Sequence, residues 1–179
     1  MIEVISAISS LLCVYLTAKK NILCWPVGII GAFGYMWIFY NNGQMANTGL
    51  QFVFLTQSIF AWWNWKSNKF LIPKNWIKKI AIGIVTLSFV MYIILLNSIS
   101  NQPELDTITT CLSLIGMLLL IYKRHESWIF WIIADIFYII MFAVDGELLL
   151  MSNYIILLGL SSWGLIKWKR ENGRIENRW

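Results

Sequence analysis

The sequence predicts an all-α membrane protein of seven transmembrane helices, built as two three-helix repeats joined by one extra span. Three observations carry that expectation. The chain is 59% hydrophobic and only 13% charged, its long apolar runs are separated by short polar connections, and its two ends match each other without a gap. Soluble domains are about half apolar and about a quarter charged, and 179 residues cannot enclose this much apolar surface in one water-soluble core.

The apolar runs fall at 2–18, 22–41, 45–65, 76–96, 105–122, 127–144 and 147–168. Most reach the roughly 17–25 residues needed to cross the hydrocarbon core. They show no alternation of period two, so helices rather than strands must satisfy their backbone in lipid. The first run has no basic segment ahead of it and is expected to be a retained helix, not a cleaved signal. The second carries Pro26 in its first turn, where proline is tolerated. Its Gly28, Gly31 and Gly34 suit close helix packing, not a nucleotide fingerprint, because no strand or phosphate-facing turn surrounds them. Pro73 and Pro103 lie in the connections that flank the fourth run. Cys13, Cys24 and Cys111 are odd in number and form no C-x-x-C pair, so they read as small packing residues.

Charge fixes the expected direction. Seven spans place alternate connections on opposite sides. One side receives Lys19–Lys20, Lys66 to Lys79, Lys123–Arg124 and the tail from Lys167 to Arg178, which together hold all 14 Lys and Arg residues. The other receives Glu3, the Asn41–Gln44 loop, Glu104 and Asp106, and Asp145 to Glu147. The positive-inside rule puts the C-terminus in the cytoplasm and the N-terminus outside. The net charge of +5 is thereby explained by topology, and no interleaved aromatic and basic surface points to nucleic acid.

Residues 1–66 align with 104–169 at a constant offset of 103, with 15 identities that include Lys20/Lys123, Trp25/Trp128, Tyr35/Tyr138, Phe39/Phe142, Ser58/Ser161 and Trp65/Trp168. Fixed self-similarity marks duplicated architecture. The expected division is a first repeat at 1–66, a linker with the fourth helix at 67–103, a second repeat at 104–169 and a cytoplasmic tail at 170–179. An odd linker span gives both repeats the same orientation, a 3+1+3 parallel-repeat plan like that of SWEET-type transporters, with a pathway expected between the halves.

A site for an asymmetric ligand should lie where matched positions differ. Trp128, Trp131, Asp135, Tyr138 and Phe142 form a stripe at three- and four-residue spacing, matched by Trp25, Gly28, Ala32, Tyr35 and Phe39. Bulk and charge at Trp131 and Asp135 replace glycine and alanine. Asp135 is expected about 13 Å into its span at 1.5 Å per residue, close to the middle of a core about 30 Å thick. A carboxylate there usually faces a pathway or a partner, and no intramembrane Lys or Arg is present to pair with it. A protonated Asp135 bonded between helices is the alternative reading. Asn47, Gln51, Gln57 and Asn153 add amides that both donate and accept. Trp25, Trp62, Trp63, Trp65, Trp76 and Trp168 are expected in an interfacial aromatic belt, and Trp128 is divided between belt and site.

The chain has no G-x-x-x-x-G-K-[ST], no H-E-x-x-H and a single histidine, His125, in a basic loop. An enzyme, a nucleotide motor and a cofactor or metal protein are therefore not expected. A carrier is the leading class, with a SWEET-like sugar carrier or a non-transporting membrane scaffold as the other readings. A neutral sugar has no need of Asp135.

The ordered motifs Trp25-Pro-x-Gly28, Tyr35, Phe39-Tyr40, Leu50-Gln51 and Trp62-Trp63-Asn-Trp65 resemble the Pnu family of vitamin transporters. Trp128-Ile-Phe-Trp131 followed by Asp135 resembles its PnuC-type nicotinamide riboside branch. The resemblance covers about residues 10–170 and departs at Ala61, where many relatives have glycine, and in the short termini. It implies facilitated diffusion in the bacterial cytoplasmic (inner) membrane, trapping of substrate by phosphorylation, and commonly a homotrimer. It also implicates Trp128 and Trp131 in substrate binding, with Gln51 and Asp135 beside them; the residue pattern itself adds Tyr138 on the Asp135 stripe and Tyr35 on the matched one. Nicotinamide riboside is a flat pyridinium cation with a sugar. Tryptophan faces, a carboxylate and amides suit it, and thiamine shares its charge; riboflavin is carried by close relatives.

Overall fold

The computed structural model describes residues 2–41, 45–67 and 103–176, together with Lys79, Ile82, Gly83 and Thr86. Its elements are the α-helices α1 (Ile2–Ala18), α2 (Cys24–Asn41), α3 (Met45–Ser67), α4 (Pro103–Ile121), α5 (Ser127–Asp145) and α6 (Leu148–Glu176), and among the described residues there is no strand. Lys79, Ile82, Gly83 and Thr86 are helical, and the remainder of the expected fourth span lies outside the described residues. The helices fall into two compact units, Met1–Lys69 and Phe70–Trp179. In the first, α2 packs against both α1 and α3; in the second, α5 packs against both α4 and α6.

Helices at matched places in the sequence have matched bounds. Adding 103 to the bounds of α1, α2 and α3 gives those of α4, α5 and α6 to within a few residues at most ends, although α6 runs further. Both opening helices end in the same way. Lys20 and Lys123 each take a left-handed φ of 54°. The Asn21 N–H donates to the Leu16 carbonyl at 3.0 Å, and the Arg124 N–H donates to the Leu119 carbonyl at 3.0 Å. Such Schellman bonds satisfy the last carbonyls of a helix. The α5 helix closes likewise at Gly146, φ 75°, where the Glu147 N–H donates to the Phe142 carbonyl at 2.9 Å.

Small residues draw α2 onto α1. A Cβ on Gly31 would touch Ser9 at 3.4 Å, and one on Gly34 would collide with the Ser6 hydroxyl. Close backbone approach is how helices associate where lipid removes the hydrophobic driving force. At the basic end of each unit, two indoles meet edge to face. Trp25 and Trp65 have centroids 5.1 Å apart at 87°, and Trp128 and Trp168 lie 5.5 Å apart at 87°. Edge-to-face pairs contribute about 0.5–1.5 kcal/mol beyond burial. The tryptophans expected in a belt divide by burial. Trp62 and Trp63 are exposed, whereas Trp25, Trp65 and Trp168 are buried. Each of the buried rings packs edge-on against its partner. Trp76 lies outside the described residues.

The described helices expose many large apolar side chains. On α5 the residues Ile129, Ile133, Ile136, Ile140 and Val144 form an exposed stripe, while Trp128, Ala134, Asp135 and Met141 are buried. Water would penalise a stripe this long, and lipid accepts it. Ser127–Asp145 and Leu150–Glu171 are long and apolar enough to cross a membrane. Lys19 Nζ lies 4.4 Å from the Tyr15 ring centroid and Lys167 Nζ lies 5.2 Å from that of Trp163. Such stems lie along apolar surface and carry their charge toward water.

Candidate substrate-binding site

The second unit holds the charge. Asp135 is 3% exposed, and Ser161 Oγ on α6 donates to its Oδ2 at 3.0 Å. Among the described residues no lysine or arginine forms an ion pair with it. A buried carboxylate accepts several hydrogen bonds and is stabilised by a nearby cation. One hydroxyl leaves most of that capacity for a ligand. In the first unit the matched residues are Ala32 and Ser58, both buried. The serine is common to both units, and the carboxylate belongs to one.

Trp131, one helical turn before Asp135, is half-buried. Its indole lies over Gly116 of α4, where a Cβ would stand 3.1 Å from Nε1. One turn beyond Asp135, Tyr138 stacks on Tyr154 at 4.5 Å and on Phe142 at 6.1 Å, and Phe142 stacks on Tyr154 at 5.4 Å. Asn153, half-buried, precedes Tyr154 on α6. An indole, a carboxylate and an aromatic wall of Tyr138 and Phe142, completed by Tyr154 of α6, therefore follow one another along α5.

Trp128 takes a different place. It is 2% exposed, packed edge-on against Trp168, and a Cβ on Gly164 would press its ring at 2.7 Å. Its Nε1 is buried without a hydrogen-bond partner among the described residues, as is Nε1 of its counterpart Trp25. The structure thus brings Asp135, Ser161, Tyr138 and Tyr154 together in one unit, with Trp131 a turn away, and leaves Trp128 in the unit's packing.

The remaining candidates belong to the first unit. Tyr35 stacks on Phe39 at 6.0 Å. Gln51 is half-buried at the position that matches Tyr154. Gln57 is half-buried, with its Oε1 buried and unpartnered among the described residues. Asn47 belongs to α3, with its side chain outside the described residues. Sequence reasoning missed the Asp135–Ser161 bond, the role of Gly116 beneath Trp131 and the two indole pairs. The last had a signal, because Trp25/Trp128 and Trp65/Trp168 are identical at both places.

Exposed apolar stripes on helices that also bury a carboxylate and an aromatic wall fit a membrane protein. The comparisons with known proteins agree. A family model of nicotinamide mononucleotide transporters matches residues 1–170, and the chain belongs to that family. It is similar to the nicotinamide riboside transporter PnuC of Haemophilus influenzae, with 29% identity over 185 residues, 94% of this chain and 79% of that protein. The PnuC of Escherichia coli is 25% identical over 209 residues, covering 96% and 87%, and that of Neisseria mucosa is 28% identical over 196 residues, covering 95% and 74%. The crystal structure of the vitamin B3 transporter PnuC superposes with a TM-score of 0.73 at 22% identity, over 97% of this chain and 82% of that one. The shared fold is therefore that of a helical vitamin transporter.

Proposed function

We propose that this chain carries nicotinamide riboside by facilitated diffusion across the bacterial cytoplasmic membrane. The observation that carries the reading is the exchange of Gly28 and Ala32 in the first unit for Trp131 and Asp135 in the second, in a fold otherwise repeated. The relatives named above as nicotinamide riboside transporters align over nearly the whole chain, which supports the same substrate here. The pyridinium ring takes the Trp131 face, its charge is met by Asp135, and Tyr138 and Asn153 meet the sugar. Trp128 holds the basic end of α5 so that Trp131, one turn later, keeps its angle. Gln51, Gln57, Asn47 and Tyr35 enter the proposal through their chemistry, as amide and phenol partners for hydroxyls. The family description names the mononucleotide. A phosphate dianion beside a buried carboxylate is repelled, so the riboside is favoured.

The same proposal includes the seven-span 3+1+3 plan, with the N-terminus outside, the C-terminus in the cytoplasm and a homotrimeric assembly. Passive carriage fits a chain without a phosphate-binding motif, and a kinase that phosphorylates the riboside in the cytoplasm would make uptake one-way. Uptake into liposomes of purified protein tests the function, using nicotinamide riboside, nicotinamide mononucleotide, thiamine, riboflavin and glucose. Nicotinamide riboside should enter and the mononucleotide should not. Entry of thiamine or riboflavin alone would move the chain to another branch, glucose entry would favour a sugar carrier, and no entry of any would favour a scaffold.

A further inference from the structure

We propose that Gly116 is a positioning residue for Trp131, and that a size exchange between α4 and α5 sets the binding geometry. The proposal rests on reading Trp131 as a substrate contact. In the first unit the contact between the opening helix and its neighbour is made by Cys13 and Gly28, and a Cβ on Gly28 would lie 3.0 Å from Cys13 Sγ. In the second unit the matched pair is Gly116 and Trp131, and a Cβ on Gly116 would lie 3.1 Å from Trp131 Nε1 and 3.3 Å from its Cδ1. In both contacts a glycine faces the bulkier matched residue, with Phe130 Cβ also 3.3 Å from a Gly116 Cβ, and the bulk has moved from the first helix to the second. The indole therefore rests on bare backbone of α4, and Gly116 is buried beneath it.

Distances of 3.1 and 3.3 Å are tighter than ordinary carbon contacts, which sit near 3.5–4.0 Å. An added methyl must shift its neighbours by a few tenths of an ångström, and of the two, the Trp131 ring and Phe130 Cβ, the ring makes the tighter contact and is freer to turn. The ring is stiff and carries its error to its far edge, where the substrate ring would stack. Trp131 stands one turn from Asp135, so a tilted indole also changes how ring and carboxylate address one cation. Alanine is a better helix former than glycine, so the effect is expected on binding before stability.

The experiment titrates nicotinamide riboside into the purified full-length protein by calorimetry, for wild type, Gly116→Ala, Trp131→Ala and the double variant. The expected results are affinity weakened about tenfold by Gly116→Ala, weakened further by Trp131→Ala, and no additional loss in the double variant, because the ring through which Gly116 acts is gone. Wild-type affinity in Gly116→Ala overturns the proposal, as does a full extra loss on top of Trp131→Ala. Wild-type affinity in Trp131→Ala instead overturns the substrate-contact reading beneath it. The fluorine resonance of 5-fluorotryptophan at Trp131, assigned with Trp131→Phe, should shift in Gly116→Ala; an unmoved resonance contradicts the proposal. If Gly116→Ala does not fold, Gly116→Ala/Trp131→Phe should fold and bind like Trp131→Phe. Misfolding of that double variant shows that Gly116 acts without Trp131, which also overturns it.

Discussion

Ser161 donates a hydrogen bond to Asp135 at 3.0 Å, while the same two positions in the first unit hold Ser58 and Ala32. One fold thus presents a buried serine with a carboxylate and a buried serine without one. Burying a carboxylate in lipid costs about 2.5 kcal/mol or more, and a single hydroxyl returns only part of that. Asp135→Ala reproduces the pairing of the first unit. It should melt no lower than wild type and should lose nicotinamide riboside binding. A clear drop in melting temperature would make Asp135 a structural strut.

Packing around the indole pairs is unequal between the units. Ala61, one turn before Trp65, is fully buried, whereas the matched Gly164 leaves room for the Trp128 ring. Gly164→Ala should destabilise the protein by about 1–3 kcal/mol, the usual cost of overpacking. Ala61→Gly should cost about 1 kcal/mol through helix propensity. Thermal unfolding in detergent measures both, and a Gly164→Ala variant that melts no lower than wild type would contradict the asymmetry.

Lysine at a left-handed helix end costs about 1–2 kcal/mol relative to a relaxed backbone, and both Lys20 and Lys123 sit there at φ 54°. Lys20→Gly and Lys123→Gly should each raise the melting temperature. Lys19 and Arg124 keep positive charge beside each site. An unchanged or lower value would show that lysine contacts outweigh the strain.

In the loop after α4, Arg124 Nε donates to Glu126 Oε2 at 3.1 Å, and a second guanidinium nitrogen donates to Oε1. Burial pushes the Glu126 carboxyl up, but Arg124, the backbone and His125 together hold it below its usual range. A depressed value stabilises the fold above the unfolded carboxylate range, and that contribution is lost as pH falls through the folded value. The pair is substantially exposed, so Glu126→Gln should cost no more than about 1 kcal/mol at neutral pH. Melting curves of variant and wild type should converge in acid; a gap that widens there would contradict the sign.

The helices and the repeat were legible because lipid forces apolar runs into helices and because the duplicated halves align without a gap. Residues at matched places, Lys20 with Lys123 and Trp65 with Trp168, take matched conformations. Asp135 stood out as a charge in an apolar run, but its partner did not, since spacing along one helix says nothing about the facing residue on the next. Trp128 was legible as a ring and not as a packing ring, because burial against Gly164 and Trp168 is set by residues nearly forty positions away. Gly116 carried no signal alone; its meaning comes from the indole above it.

The central claim is that Asp135 reads the charge of the substrate ring. The most direct measurement is calorimetric affinity for nicotinamide riboside and for its dihydro form, which lacks the ring charge, in wild type and in Asp135→Asn. Asparagine keeps an acceptor for Ser161 and removes the charge. Wild type should prefer the cation by about tenfold or more, the worth of a charge-assisted contact of roughly 1.5–3 kcal/mol, and Asp135→Asn should erase the preference. An undiminished preference for the cation in the asparagine variant would contradict the account.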